Sequence, residues 1–263
     1  MDLKLEGKRA LVTGSTAGIG FAIASGLARE GAEVIVNGRS EKRVAEALER
    51  IRSEAGSRAV GIAADLGTAQ GAGRLAEQAD RVDILVNNVG IFEPVPFLKI
   101  DDNDWLHTFE VNVMSGVRLS RALVPQMVER GFGRIIFISS ESGVQIPAEM
   151  VHYGVTKTAQ LALSRGIAET VAGTGVTVNA VLPGPTRSDG VVEFLDKLAQ
   201  DQGTDVAKFE AQFVRTMRPS SLIQRFAEPE EVANLVVFLA GGGASAITGA
   251  ALRVDGGVVR SIV

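Results

Sequence analysis

The sequence contains no cysteine, which excludes disulfide bonds, a thiolate nucleophile and a cysteine-held iron–sulfur cluster. Its two histidines, His107 and His152, are too few for a conventional zinc site without help from carboxylates, so no metal site is predicted. No apolar run follows the basic residues near the start, and we therefore expect no secretory signal. Together these absences favour a reducing, cytoplasmic setting.

Excess charge and long apolar runs are also scarce. Lysine and arginine number 27 against 31 acidic residues, and the net charge of −4 argues against a nucleic-acid groove or a polybasic membrane surface. Residues 235–252 are uncharged and just long enough to span a membrane, but the glycines between Gly241 and Gly249 would break such a helix. The pattern instead predicts a buried helix ending at Gly241 and a buried strand over 251–254. We expect no nucleic-acid partner and no membrane partner.

Short apolar runs alternate with longer segments of helical period along the 263 residues. Nearly all-apolar strands separated by helices are typical of a parallel sheet covered on both faces. The sequence therefore predicts a single-domain α/β doubly wound fold with a seven-stranded, mostly parallel sheet, and ligands bound beyond the carboxyl ends of its strands. The expected strands are 8–13, 33–37, 58–63, 82–87, 134–139, 176–181 and 251–254, and the expected longer helices are 19–29, 41–55, 102–130 and 152–172.

The first predicted strand runs through a glycine-rich turn into a helix, with glycines at Gly14, Gly18 and Gly20. Such glycines allow a tight turn, a close approach of the backbone to a pyrophosphate, and close packing of the helix on the strand. The free N–H groups at the helix N-terminus attract phosphates. The turn therefore predicts a dinucleotide site. Further contacts are expected from the other side chains of the turn: Ser15, Thr16 and Ile19.

Further motifs follow in order along nearly the whole chain. They are Asn87-Asn-Val-Gly90, Asn112, Ser140, Tyr153-Gly-Val-Thr-Lys157, Pro183-Gly184 and Val254-Asp-Gly-Gly257. With the Gly-x-x-x-Gly-x-Gly spacing of the turn, this series resembles the short-chain dehydrogenase/reductase family, although Val89 departs from the family's alanine. The resemblance implies a Rossmann-type fold, a nicotinamide cofactor and a homotetramer or homodimer. It also implies a catalytic set of Asn112, Ser140, Tyr153 and Lys157.

The same resemblance implies individual roles. Lys157 would also bind the nicotinamide ribose, and Asn112 would hold a water that links Lys157 to solvent. The pair after the third strand would contact adenine, and the loop after the sixth strand would contact nicotinamide. The cofactor contacts implied in this way are Asp65, Leu66, Asn88, Gly90, Tyr153, Lys157, Pro183, Gly184, Thr186 and Ser188.

The chemistry of the catalytic set can also be argued from its residue types. Tyr153 is the only tyrosine, and Lys157 lies one helical turn later on the same face. A free tyrosine has a pKa of about 10, and a neighbouring ammonium would lower it toward neutrality, as acid–base catalysis requires. Ser140 would stabilise negative charge on a substrate oxygen. The Tyr–Lys spacing alone is more often that of a helix surface pair, and Ser140 upstream at a strand end favours the catalytic interpretation. The roles of Glu141 and His152 stay open.

The end of the second predicted strand indicates which nicotinamide cofactor is bound. An NAD-binding fold places a carboxylate there for the ribose 2′-hydroxyl, whereas this chain has Asn37. Arg39, followed by Ser40, could clamp a 2′-phosphate with its planar guanidinium. We therefore expect contacts from Asn37, Arg39 and Ser40, and NADP(H) rather than NAD(H) as the cofactor.

The resemblance to the family also implies that the irregular segment 186–225 is the substrate lid. Residues 189–210 include six acidic residues and only two lysines, and this net negative charge would repel an acidic carrier protein.

The expected function is interconversion of a ketone or aldehyde with an alcohol on a small, largely apolar substrate. The alternatives are a 3-oxoacyl-[acyl-carrier-protein] reductase and a non-catalytic NADP-binding regulator. Two apolar faces of the lid either cover the substrate or pack on the sheet: Val191, Val192, Phe194, Leu195 and Leu198, and Phe209, Phe213, Val214 and Met217. Subunit contacts are expected at Val113, Val117, Leu161 and Leu163.

Overall fold

A computed structural model describes residues 2–55, 58–192, 195–196 and 205–262. In this part of the chain the strands are β1 (Arg9–Val12), β2 (Glu33–Gly38), β3 (Ala59–Ala63), β4 (Ile84–Asn87), β5 (Gly133–Ile138), β6 (Val176–Pro183) and β7 (Ala251–Val254). They form one sheet in the order β3-β2-β1-β4-β5-β6-β7, and every neighbouring pair is parallel. The predicted doubly wound fold is confirmed.

Helices cover both faces of the sheet. They are α1 (Gly18–Arg29), α2 (Glu41–Ala55), α3 (Ala69–Ala79), α4 (Asp102–Phe109), α5 (Ser115–Glu129), α6 (Val151–Thr170), α7 (Val206–Met217) and α8 (Pro229–Ala240). Apolar side chains of α1, α2 and α8 form one buried cluster on the sheet, and those of α3, α5 and α6 pack into a second cluster on the opposite face. This arrangement buries both surfaces of the five inner strands, as the continuous apolar runs predicted, whereas the edge strands β3 and β7 are partly exposed.

The predicted helix over 102–130 is not continuous. A π-helical segment, Glu110–Met114, separates α4 from α5 and contains the fully buried Asn112. An i+5 turn leaves backbone groups open to other partners, and such turns frequently mark functional sites. Here the carbonyl of Asn112 accepts a hydrogen bond from the side chain of Gln160 on α6, at 2.6 Å.

The prediction of a buried strand over 251–254 is wrong in its burial, although its bounds are those of β7. The strand lies at the edge of the sheet and pairs with β6 alone, so its residues alternate between exposed and half-buried. In the described part of the chain, no helix is both long and apolar enough to cross a lipid bilayer.

The lid segment contains α7 and a helical stretch at 189–192. Leu195, Val214 and Phe226 form a small apolar core of their own, with Val191 and Phe213 packed against it. The lid therefore has a core separate from the two clusters on the sheet. Of the lid residues named from the sequence, Phe194, Leu198 and the side chain of Phe209 lie outside the described residues.

The residues expected at subunit contacts differ in their exposure. Val113 is 5% exposed, Val117 is half-buried, and Leu161 and Leu163 are partly buried against the core beneath α6. The apolar side chains that α4 and α6 expose are Leu106 (69%), Phe109 (40%) and Val155 (41%).

Candidate active site

The glycine turn lies where the strand order reverses, between β1 and β4, which is where doubly wound sheets bind ligands. Gly14 and Gly18 have positive φ values of 60° and 55°. A Cβ at Gly20 would lie 2.3 Å from the Gly14 carbonyl oxygen and 2.5 Å from the side-chain nitrogen Nδ2 of Asn88. This side-chain amide donates hydrogen bonds to the carbonyls of Thr13 and Gly14 at 2.9 and 3.1 Å. The turn is thus held tightly against the end of β4.

The start of α1 offers the donors that a phosphate needs. Its N-cap residue, Ala17, has no side chain that could bond to the first N–H groups. Instead the Gly18 N–H donates to the carboxylate of Asp189, at 2.6 Å, from a segment far along the chain. An anionic oxygen therefore already occupies the position that a pyrophosphate would take, and the turn fits a dinucleotide.

Two predicted cofactor contacts are used instead to support the turn. The side chain of Asn37 is 1% exposed and donates to the carbonyls of Ile62 and Ala64, at 3.1 and 3.3 Å. The hydroxyl of Ser15, also fully buried, donates to the Val12 carbonyl and accepts from the Asn37 N–H. Strand β2 continues to Gly38, so the predicted strand end was placed one residue early. Both side chains are thus buried and engaged in hydrogen bonds within the protein.

Most of the other residues expected to contact the adenosine half of the cofactor are exposed to solvent. Arg39 and Ser40 are exposed, and Ser40 begins α2, accepting weakly from the Arg43 N–H at 3.5 Å. Asp65 is also exposed, whereas the side chain of Leu66 is buried in the core at 2% exposure. Leu66 can therefore offer a cofactor only its backbone.

A cavity of about 1050 Å³ opens beyond the carboxyl ends of the strands, between the sheet and the lid. It brings together three of the four expected catalytic residues, while Asn112 lies behind its wall. Apolar lining comes largely from Phe92, Met150, Phe213, Met217 and Phe226. The sequence-predicted residues that line it are Ile19, Asn88, Gly90, Ser140, Tyr153, Lys157, Pro183, Gly184, Thr186 and Ser188.

Tyr153 and Ser140 face each other in this cavity. The phenol ring packs edge-on against Phe92 with the ring centres 6.2 Å apart. Burial raises the pKa of Tyr153 to about 12, and the nearby Ser140 hydroxyl opposes that rise only in part. The phenol is thus a protonated acid near neutral pH.

Lys157 lies behind the tyrosine ring, with its Nζ 5.5 Å from the ring centre. Nζ donates to the Ile138 carbonyl at 2.9 Å and to the side-chain oxygen of Gln160 at 3.3 Å. Burial lowers the pKa of Lys157 to about 7. We expected a charged Lys157 to lower the pKa of Tyr153. These residues alone do not produce that effect, because burial raises the pKa of Tyr153 and disfavours the charged form of Lys157.

Asn112 anchors the wall behind the lysine. Its side-chain oxygen accepts from the Ile91 N–H at 2.7 Å, and its amide donates to the Ile91 carbonyl and the Thr156 hydroxyl at 2.9 and 3.0 Å. Gln160 joins this residue to Lys157 directly, through its two amide atoms. Sequence reasoning missed Gln160, although a glutamine one turn beyond Lys157 on a helix that packs on the sheet was an available signal.

Glu141 and His152 have different surroundings. Glu141 lines the cavity and forms a buried ion pair with Arg218, at 2.7 Å. His152 is 3% exposed and packs edge-on against Trp105, away from the residues that line the cavity. Arg218 was not singled out from the sequence, because nothing local marks an arginine that meets a carboxylate 77 residues away.

The comparisons with known proteins all indicate the same family of oxidoreductases. The pattern of the short chain dehydrogenase family matches residues 8–199. The uncharacterised oxidoreductase YvaG of Bacillus subtilis is 50% identical, and the 3-oxoacyl-[acyl-carrier-protein] reductase FabG of Aquifex aeolicus is 35% identical. The alignments cover 100% of this chain and of YvaG, and 98% of this chain and 100% of FabG.

Among solved structures, the L-sorbose reductase of Gluconobacter frateurii complexed with NADPH and L-sorbose superposes with a TM-score of 0.95. The two sequences are 35% identical, and the match covers 100% of both chains. Sequence, fold and cavity agree: the chain belongs to the short-chain dehydrogenase/reductase family of oxidoreductases.

Proposed function

We propose that this oxidoreductase uses NADP(H) to interconvert a ketone or aldehyde with an alcohol on a small molecule. The observation that carries the proposal is that Ser140 and Tyr153 lie together in the wall of the cavity at the end of the sheet. Two hydroxyls that converge on one point can bind a carbonyl oxygen between them. The apolar walls of the cavity suit the carbon skeleton of such a substrate.

A nicotinamide cofactor, when bound, would supply or accept the hydride. The protein's own residues manage the oxygen and the proton. Ser140 orients the carbonyl oxygen, and Tyr153, protonated below its pKa of about 12, donates the proton as negative charge develops there. Lys157, with a pKa of about 7, can return a proton at neutral pH while its Nζ is held by the Ile138 carbonyl and the Gln160 side chain. Asn112 acts as a positioning residue from behind the wall.

The preference for NADP(H) is a separate part of the proposal. Arg39 is exposed directly after β2, and neither Gly38 nor Asn37 supplies a carboxylate that would repel a 2′-phosphate. A relative of the same fold is complexed with NADPH. A guanidinium at this position recognises a phosphate through paired, charge-assisted hydrogen bonds.

Two alternatives remain, and one experiment separates them. A 3-oxoacyl-[acyl-carrier-protein] reductase is favoured by the relative of that name, and it would reduce acetoacetyl thioesters best. A non-catalytic NADP-binding regulator would not oxidise NADPH with any of the carbonyl compounds. The purified protein is given NADPH with a panel of ketones, aldehydes and an acetoacetyl thioester, and absorbance at the nicotinamide band is followed. Turnover of small carbonyls in preference to the thioester supports the proposal, and absence of any turnover contradicts it.

The remaining expectations also stay proposals. We propose a single domain with a lid over about 186–225, assembly as a homotetramer or homodimer, and a cytoplasmic location. The exposed Leu106, Phe109 and Val155 support the assembly, because a monomer gains nothing from such a surface. Fractionation of cells that express the tagged chain tests the location.

A further inference from the structure

Three charged side chains meet in the wall of the cavity beside the reacting groups. Arg218 donates from Nε to Glu141 at 2.7 Å, and from Nη1 to Glu149 at 3.3 Å and to the Met217 carbonyl at 2.8 Å. The other oxygen of Glu141 accepts from the Ser142 hydroxyl at 2.8 Å. Arg218 and Glu141 are almost fully buried, whereas Glu149 is partly exposed. The cluster is therefore rigidly built and carries one net negative charge.

Stability alone does not account for this cluster. Burying an ion pair costs desolvation that its attraction often fails to repay, so an apolar replacement would serve the fold as well. Buried charges in a cleft are instead frequent at functional sites. Glu141 directly follows Ser140 in the chain, and the charges of Glu141 and Arg218 act in opposite directions on the Tyr153 phenol. The cluster thus lies within electrostatic reach of the proton donor.

The cluster has hydrogen-bonding capacity left over. Within the described residues, Nη2 of Arg218 donates no hydrogen bond, and Oε2 of Glu149 accepts none. One group is a donor and the other an acceptor, and all three side chains line the cavity. A hydroxyl can satisfy both, since it accepts one hydrogen bond and donates another. A carboxylate or phosphate on the substrate could only accept, and it would meet the net negative charge of the cluster.

We propose that Arg218 and Glu149 bind a hydroxyl group of the substrate, which makes the substrate a neutral hydroxylated ketone or aldehyde, or the corresponding polyol. This inference rests on the proposed function and names its substrate class. The C–H faces of such a molecule pack against Phe92, Phe213 and Met217. The bound hydroxyl is not changed by the reaction, in which hydride and proton add to the neighbouring carbonyl.

Substrates matched in carbon number test the class directly. With saturating NADPH, kcat/KM is measured for dihydroxyacetone against acetone, and for L-erythrulose against 2-butanone and the anion 2-oxobutanoate. A site built to bind a hydroxyl rejects analogues that lack one, so each hydroxylated member should exceed its plain partner by at least about 10-fold. The anion should be no better than 2-butanone. Equal or better turnover of the plain ketones would overturn this inference and leave the proposed function standing, while no NADPH oxidation with any carbonyl would overturn both.

Variants then test the residues. Glu149→Gln and Arg218→Lys should each reduce the preference for dihydroxyacetone over acetone about 10-fold or more, mainly through KM for the hydroxylated substrate. Glu93 is an exposed carboxylate that lines the same cavity, and Glu93→Gln should keep the wild-type preference. Because Glu149 is partly exposed, its variant is expected to fold even where the Arg218 variant does not. An unchanged preference in Glu149→Gln, or the same loss in Glu93→Gln, would show that the cluster does not bind the substrate.

Discussion

The side-chain oxygen of Gln160 accepts a hydrogen bond from Nζ of Lys157, at 3.3 Å. The amide nitrogen of the same glutamine donates to the backbone carbonyl of Asn112 in the π-helical segment, at 2.6 Å. One buried side chain thus fixes the distance between the lysine and the segment behind it. Gln160 acts through Lys157, and we regard it as a positioning residue that also sets the charge of the lysine.

Substitutions of Gln160 should move the pH profile in opposite directions. A carboxylate next to Lys157 favours its charged form and raises its pKa, so Gln160→Glu should shift the lysine-dependent limb of kcat/KM to higher pH by about one unit or more. Gln160→Leu removes an acceptor from the charged form and should shift the same limb downward from about 7. The measurement is the pH dependence of kcat/KM with NADPH saturating.

A control on the same helix separates positioning from general damage. Ser164 is buried one turn further along α6, and its hydroxyl has no partner among the described residues. Ser164→Ala should leave the profile in place. Two Gln160 variants that lose rate without any shift would show that the glutamine is only structural.

Loss of the phenol hydroxyl should remove the proton donor and little else. Tyr153→Phe keeps the edge-on contact with Phe92, so the cavity should keep its shape. We expect kcat to fall at least about 100-fold, the usual scale for a lost acid–base group, with NADPH affinity nearly unchanged. Steady-state kinetics and a fluorescence titration of NADPH measure the two quantities. Retention of most of the activity would refute the proposed mechanism.

The sequence predicted local features well, because they depend on neighbours in the chain. The apolar period of α2 gave the correct helix over 41–55. The grouping of Ser140, Tyr153 and Lys157 in one cavity was implied by the resemblance to the family rather than by local pattern. The errors arose where the local sequence is compatible with more than one strand boundary or position in the sheet. A one-residue difference in the end of β2 turns Asn37 from a cofactor contact into a buried support. Likewise, the apolar composition of β7 does not reveal that it lies at the sheet edge.

Contacts between distant parts of the chain could not be predicted at all. Asp189 reaches Gly18 across 171 residues, and Arg218 reaches Glu141 across 77. No periodicity encodes such pairs, since they form only when the lid folds over the sheet. Asparagine is a poor helix former, but that preference alone does not specify a π-helical turn at Asn112.

The carboxylate of Asp189 should compete with the cofactor for the start of α1. It accepts from the Gly18 N–H at 2.6 Å, and its charge opposes a pyrophosphate at the same helix terminus. Asp189→Asn should therefore tighten NADPH and NADH alike, by about 2- to 5-fold for an interaction of roughly 0.3–1 kcal/mol. Titration of both cofactors measures this, with Asp196→Asn in the same segment as the control. Weaker binding of both cofactors would mean that Asp189 supports the site.

The apolar surface on α4 and α6 should be covered by another copy of the chain. Leu106, Phe109 and Val155 are each at least 40% exposed. Light scattering at micromolar concentration should report two or four subunits, and Leu106→Glu should reduce that number because it places a charge in the contact. Retained NADPH binding by the variant shows that its fold is intact. A wild-type monomer at that concentration would refute the assembly.

Arg39 should distinguish the two nicotinamide cofactors. It is exposed directly after β2, where the adenosine 2′-position is expected, and a charge-assisted contact with a phosphate contributes roughly 1.5–3 kcal/mol. At about 1.4 kcal/mol per tenfold, Arg39→Ala should weaken NADPH about 10- to 150-fold and leave NADH, which lacks that phosphate, nearly unchanged. Arg43, exposed in the first turn of α2, provides the matched control, and Arg43→Ala should alter the NADPH-to-NADH ratio much less. Equal losses for both cofactors in Arg39→Ala, or tighter binding of NADH by the wild type, would show that Arg39 does not recognise the phosphate.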